Sequence, residues 1–172
     1  MKMTDILSEA TSPVLSLEIT PPNRGQSVDD LFAAIDSLMR FQPKFISVTY
    51  HQPHTVYEEK NGVIIRRPKR KKPGTVGISA AITNRYAVTT MPHLICGGFD
   101  RFETEDALID LHYLGMTNIL ALRGDPAPGH TRFISEKEGH RYADQLVSQI
   151  AAMNRGEYLE DLENPVPTGS TK

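Results

Sequence analysis

Two carboxylates, each near the end of an apolar run, carry the chemistry this sequence is best equipped to do. In Asn118-Ile-Leu-Ala-Leu-Arg-Gly-Asp-Pro-Ala-Pro-Gly129 the apolar run Ile119–Leu122 stops abruptly at Arg123-Gly124-Asp125, followed by a Pro/Gly turn. This reads as a buried strand delivering an arginine and a carboxylate into the loop at its C-terminal end, where parallel α/β folds place their chemistry. In Leu15-Ser-Leu-Glu-Ile-Thr-Pro-Pro22 a second strand carries Glu18 near its end and is stopped by two prolines. A charge inside a sheet must be paired or used. Proton transfer is the use open to a carboxylic acid at such a strand end if partial burial raises its pKa.

The elements that must hold these groups alternate between strand and helix. Val14–Ile19 is expected as strand one. A first helix follows, with Ser27 as N-cap, Asp30 completing a carboxylate variant of the capping box, and Val28, Leu31, Phe32, Ile35, Leu38 and Met39 at helical spacing. Phe45–Tyr50 is strand two, and a long polar loop is expected from about His51 to Gly74. Val76–Tyr86 reads as helix two and His93–Gly97 as strand three. Thr104 is expected to cap helix three, which stops at Gly115. Asn118–Leu122 is strand four, and helix four carries Tyr142, Ala143, Leu146, Ile150 and Met153. Residues 1–155 make one unit of about four βα repeats. From Gly156 to Lys172 the periodicity is lost and an irregular tail is expected. Such alternation predicts an α/β fold with a parallel sheet. Half of an eight-unit barrel and a four-stranded doubly wound sheet both fit. The phosphate loop G-x-G-x-x-G is absent after strand one, where Pro21-Pro22 stands, which favours the half-barrel.

Composition narrows the class. The 172 residues are 39% apolar and 23% charged, with a net charge of −2, as in a globular domain with no global field for nucleic acid or acidic membranes. The single cysteine, Cys96, excludes an internal disulfide and a multi-cysteine metal site. No signal peptide or membrane span is readable in the sequence, so a cytoplasmic location without membrane partners is expected. His51 and His54 lack a ligand set, and no metal is expected. The block Arg66-Arg-Pro-Lys-Arg-Lys-Lys72 has no interleaved aromatics and reads as a solvated surface loop rather than a nucleic-acid site.

Four motifs, in order and in register, carry a resemblance: Leu17-Glu-Ile-Thr-Pro-Pro22, Pro43-Lys-Phe-Ile-Ser-Val-Thr-Tyr50, Pro92-His-Leu-Ile-Cys96 and Ala121-Leu-Arg-Gly-Asp-Pro126. With Tyr142-Ala-Asp-Gln-Leu-Val147 they resemble the successive strand motifs and the following helix of methylenetetrahydrofolate reductases. The resemblance implies a (β/α)8 TIM barrel, of which this chain matches about the first half. It also implies FAD as cofactor and hydride transfer from NAD(P)H to 5,10-methylenetetrahydrofolate by a ping-pong route, giving 5-methyltetrahydrofolate for methionine synthesis. The chain stops where the family would enter strand five. A truncated form is therefore expected, without the strand-five segment that helps hold FAD and the later glutamine that contacts folate.

The same resemblance assigns roles. Glu18 matches the acid that protonates the departing nitrogen when the methylene bridge opens. Asp125 lies near the flavin ring and the pterin and tunes the redox centre, Gly124 lets backbone approach the flavin, and Arg123 contacts FAD. Thr49, Tyr50 and His93 belong to the cofactor site, with Tyr142 and Ala143 near the pyrophosphate at a helix N-terminus. Gln52 stands where a small residue is often found. Each residue also has a structural reading: a paired carboxylate for Glu18, a solvated turn for Arg123–Asp125, ordinary strand residues for Thr49 and Tyr50, and core packing for His93 and Tyr142. A non-catalytic half-barrel module remains the alternative function. Unpaired parallel edges lead to an expectation of homo-oligomers.

Overall fold

Apolar residues at every second strand position build one sheet and turn one of its faces to the helices. The computed structural model describes residues 1–160, with backbone alone at Arg66 and Pro68. Along the chain the elements are α1 (Met3–Ser8), β1 (Ser16–Ile19), α2 (Val28–Met39), β2 (Phe45–Val48), β3 (His54–Lys60), β4 (Val63–Lys69), α3 (Thr75–Tyr86), β5 (Thr89–Ile95), α4 (Arg101–Tyr113), β6 (Leu120–Leu122) and α5 (Ala143–Met153). The main sheet runs β1-β2-β5-β6, and each of its pairs is parallel. Sequence order and parallel direction are what a βα barrel segment requires.

Two apolar clusters lie between the sheet and its helices. Ile46 and Val48 of β2, with Leu17 and Ile19 of β1, pack on Ile35 of α2 and Ile78 and Ile82 of α3. Leu94 and Cys96, from β5 and its end, pack with Leu108 of α4 and Leu146 and Met153 of α5, joined by Ile119 and Ala121. Both clusters use the same side of the pleat, so these helices cover one face of the sheet, as half of a barrel predicts. The other face carries Glu18, Ser47, His93 and Ile95.

The long loop expected between strand two and helix two is instead a β-hairpin. β3 and β4 pair antiparallel through seven residue pairs, from His54↔Lys69 to Lys60↔Val63. Asn61 and Gly62 form its turn with φ of 53° and 76°. Positive φ at both central positions gives the twist that suits a two-residue hairpin, and Asn-Gly is the sequence that takes it at least cost. The charge block hid this signal. Arg67 pairs with Glu58 across the hairpin at 3.1 Å.

Smaller corrections concern caps and ends. Asp100, not Thr104, caps α4. Glu103 N–H donates to Asp100 Oδ1 at 2.8 Å, and Asp100 N–H donates to Glu103 Oε2 at 3.0 Å. Thr104 sits in the first turn, buried, and its hydroxyl donates back to the Asp100 carbonyl at 2.7 Å. Ser27 caps α2 as expected, but its hydroxyl accepts from Asp29 N–H at 3.0 Å, and Asp30 does not complete a box. α1 was not legible. It is held where Met3 N–H donates to Asn118 Oδ1 at 2.6 Å and Asn118 Nδ2 donates to the Met1 carbonyl at 2.9 Å. Of the irregular tail, residues from 161 onward lie outside the described part.

Candidate functional site

Glu18 and His93 meet above β2. In register Glu18 pairs with Ser47, and Ser47 with Met91, which puts His93 one pleat further toward the C-terminal edge. The backbones of β1 and β5 lie two strand spacings apart, about 9.5 Å. The small Ser47 between them leaves room for the longer side chains to span that gap. Glu18 Oε2 and His93 Nε2 stand 3.8 Å apart, with the glutamate side chain 65% exposed and the histidine 8%. The partial burial expected of Glu18 is therefore not found, because no described element covers this face of the sheet. His93 Nε2 is buried and has no hydrogen-bond partner among the described residues. Its carbonyl accepts from Thr75 Oγ1 at 3.1 Å, tying β5 to the first residue of α3.

Burial pushes the His93 pKa below its ordinary value of 6.5, and the nearby Glu18 charge offsets this only in part. The folded chain thus favours neutral imidazole, while the unfolded chain takes up a proton at higher pH. Stability from this group is complete above 6.5, falls as the pH drops through 6.5, and stops falling below the depressed folded-state value. In urea unfolding, the wild-type chain is expected to lose more stability between about pH 7.5 and pH 5.5 than His93→Gln does. Parallel pH profiles for the two proteins would refute the burial of this imidazole.

Thr49 extends the same face. Its N–H continues the ladder to the Ile19 carbonyl at 2.9 Å. Its hydroxyl lies 3.2 Å from both Thr20 Oγ1 and His51 Nε2. Tyr50, one residue on, points the opposite way: its ring packs on Phe99 with centroids 5.0 Å apart, beside the α4–α5 cluster. Burial raises its phenol pKa. The ring of Tyr50 therefore does not join Glu18 and His93, although the sequence grouped all three. Adjacent strand residues cannot share a face.

The Arg123–Asp125 loop closes over β5. Gly124 has φ +82°, and a Cβ there would stand 3.0 Å from Ile95 Cδ1. Gln52 clamps the loop from the far side, its Nε2 donating to the Asp125 carbonyl at 2.7 Å. The Gln52 amide lies across Gly97, where any Cβ would collide with it. Thus Gln52 bridges the loops after β2 and β6. Its partners are remote in sequence, and no local pattern marked it. Gly124→Ala combines a left-handed backbone with that contact, so about 1–3 kcal/mol of stability is expected to be lost. A thermal melt matching the wild type would show that the loop does not need glycine.

Beyond Gly124, the Arg123 guanidinium lies 5.4 Å from the centre of the Phe133 ring. Arg123, Arg132, Phe133, Arg141 and Tyr142 line a pocket of about 340 Å³ at the start of α5. Gln145 Oε1 accepts there from Arg141 N–H at 2.8 Å and Tyr142 N–H at 3.2 Å. Ala143 is the first helical residue. Arg132, Phe133 and Arg141 were not picked out by sequence reasoning, since the segment before α5 has no periodicity. Among the described residues no group of His, Cys, Asp and Glu could hold a metal ion, and no helix is long and apolar enough to cross a membrane.

A parallel, sequence-ordered βα sheet with helices on one face and polar residues on the other, toward the C-terminal ends of its strands, defines a partial (β/α) barrel with a barrel-type site. The family model described as methylenetetrahydrofolate reductase matches residues 2–161, and the chain belongs to that family. A probable methylenetetrahydrofolate reductase (NADH) of Oryza sativa is 29% identical over 162 residues, covering 92% of this chain and 25% of the rice protein. Methylenetetrahydrofolate reductase 1 of Schizosaccharomyces pombe is 31% identical over 144 residues, covering 83% of this chain and 21% of the yeast protein. The 5,10-methylenetetrahydrofolate reductase of Escherichia coli K12 is 29% identical over 136 residues, covering 79% and 39%. The chain spans about a quarter of the length of the plant relatives it matches.

Proposed function

We propose that residues 1–155 form the N-terminal half of a flavin-dependent methylenetetrahydrofolate reductase barrel and supply its acid and part of its FAD site. The observation that carries this reading is the Glu18–His93 pair, 3.8 Å apart on the open face toward the C-terminal edge of the sheet, with the Arg123–Asp125 loop folded against Ile95 of β5. The residues present fit a flavin. His93 Nε2 is a buried polar atom without a hydrogen-bond partner among the described residues, glycine at 124 holds the loop close to β5, and three arginines line the pocket at the α5 N-terminus. Arg123, Arg132 and Arg141 suit the negative charge of a pyrophosphate. His93, Thr49, Gly124 and Asp125 would lie toward the ring, and Tyr142 and Ala143 toward the phosphates. FAD supplies hydride transfer from NAD(P)H to the folate.

The chain's own residues govern the proton. Glu18 would hold it for the nitrogen that departs when the methylene bridge of 5,10-methylenetetrahydrofolate opens. His93 lies 3.8 Å from that carboxylate, close enough to orient it. Asp125 would place negative charge beside the reacting rings. A folate substrate, a reduced nicotinamide partner, a cytoplasmic setting and a homo-oligomeric state belong to the same reading.

Flavin titration tests it. The chain is expected to quench FAD fluorescence saturably, and Arg123→Ala to weaken binding by about tenfold, the worth of one charge-assisted contact. A folded chain that leaves FAD fluorescence unchanged at all concentrations would overturn the cofactor assignment.

A further inference from the structure

A second cationic cavity, separate from the residues assigned above, lies between the loop after β1 and the exit of the β3–β4 hairpin. It encloses about 390 Å³ and is lined by Arg24, Arg70 and Lys72, with Gln26, Val28 and Ile78 among its other walls and no Asp or Glu. Its two loops are fastened to each other. Arg24 N–H donates to the Lys71 carbonyl at 2.6 Å, and Lys72 Nζ donates to the Pro21 carbonyl at 2.8 Å.

The charges of this cavity are uncompensated among the described residues. None of the ion pairs Arg67–Glu58, Arg85–Asp36, His93–Glu18 and Arg155–Glu157 involves Arg24, Arg70 or Lys72. Arg70 is also placed against its own electrostatic interest. A Cβ added at Gly74 would lie 3.6 Å from Arg70 Nη1, and Gly74 is the N-cap of α3 with no side-chain cap. The first N–H groups of a helix lack intrahelical partners and carry the positive end of the dipole. A guanidinium beside that end, with two further cations and no carboxylate, repels its surroundings unless an anion completes the set.

We propose that this cavity is an anion site for a dianionic phosphate group, held by Arg24, Arg70 and Lys72 with the start of α3 behind them. Two forked guanidiniums match phosphate oxygens bidentately, and Lys72 keeps two of its donors free beyond the Pro21 contact. The site stands on charge and geometry alone and does not depend on the flavin reading. Its phosphate could be a free ion or the ester of a dinucleotide, and the two sources separate in competition.

The test is isothermal titration of the full chain with inorganic phosphate at constant ionic strength, repeated for Arg24→Ala, Arg70→Ala and Arg70→Lys. Saturable binding is expected for the wild type, with about tenfold weakening in each alanine variant and a smaller loss for Arg70→Lys. Both arginines are exposed, so the variants should fold. A stability measurement adds a readout that simple packing would not give. Without phosphate, Arg70→Ala is expected to melt at or above the wild-type temperature, because its repulsion from the helix end is relieved, whereas phosphate raises the melting temperature of the wild type alone. Competition by NADPH but not NADH would identify a ribose phosphate ester as the source. Phosphate binding with no competition by either would identify the free ion. Absence of phosphate binding, or equal affinity in wild type and both alanine variants, would overturn the site.

Discussion

In a complete barrel that carries this half, the function proposed above leads us to expect that Glu18→Gln lowers folate reduction by about 10²–10⁴-fold, the usual contribution of a general acid. Flavin reduction by NAD(P)H should stay within a few-fold of wild type. The asymmetry follows from the chemistry. Only the folate half-reaction breaks a carbon–nitrogen bond and must protonate the departing nitrogen. The amide would keep the size and polarity of the side chain while removing the acidic proton. The Glu18 side chain is largely exposed, and His93 Nε2 stands 3.8 Å from its Oε2, beyond hydrogen-bond distance, so the fold should survive. Stopped-flow spectra of the two half-reactions, followed at the oxidised-flavin band, provide the measurement. Equal loss in both half-reactions would remove Glu18 from its role as acid. Unchanged folate reduction would assign the proton to another group.

The placement of this pair shows how far the sequence was legible. Strand-borne Glu18 and the Arg123-Gly124-Asp125 turn were readable because a charge in an apolar run and a glycine before a loop each have a local physical cause. The order of the sheet followed from βα alternation. Other features depend on contacts between segments far apart in the chain. Gln52 is a bridge only because Asp125 and Gly97 come beneath it. The pocket of Arg123, Arg132 and Arg141 forms because an aperiodic segment returns to the start of α5. Tyr50 stands apart from Glu18 for a different reason. The motif Thr49-Tyr50 named both residues, while the pleat allows only one of them to face Glu18. The hairpin was a missed local signal, since Asn61-Gly62 marks it and the charges of Arg66–Lys72 drew the reading toward a loop.

The chain of 172 residues is expected to self-associate in solution and to hold little flavin after purification. Among the described residues no strand pairs with the outer edge of β1 or of β6, so both present open backbone donors and acceptors that invite a further strand. The face opposite the helices adds a second drive. Leu120 and Leu122 of β6 and Met91 of β5 are only half-buried there, and apolar surface in a contiguous patch favours association. One side of the proposed flavin site is equally uncovered, which limits the contacts available to FAD. Sedimentation velocity should therefore show species heavier than the 19.2 kDa monomer, with a weak oxidised-flavin absorbance. Leu120→Lys, which puts a charge on the edge strand and the apolar face together, is expected to shift the distribution toward monomer without unfolding the chain. A stable wild-type monomer carrying stoichiometric FAD would show that neither the open edges nor the uncovered face has the consequence argued here. An unchanged distribution in Leu120→Lys would place the association on another surface.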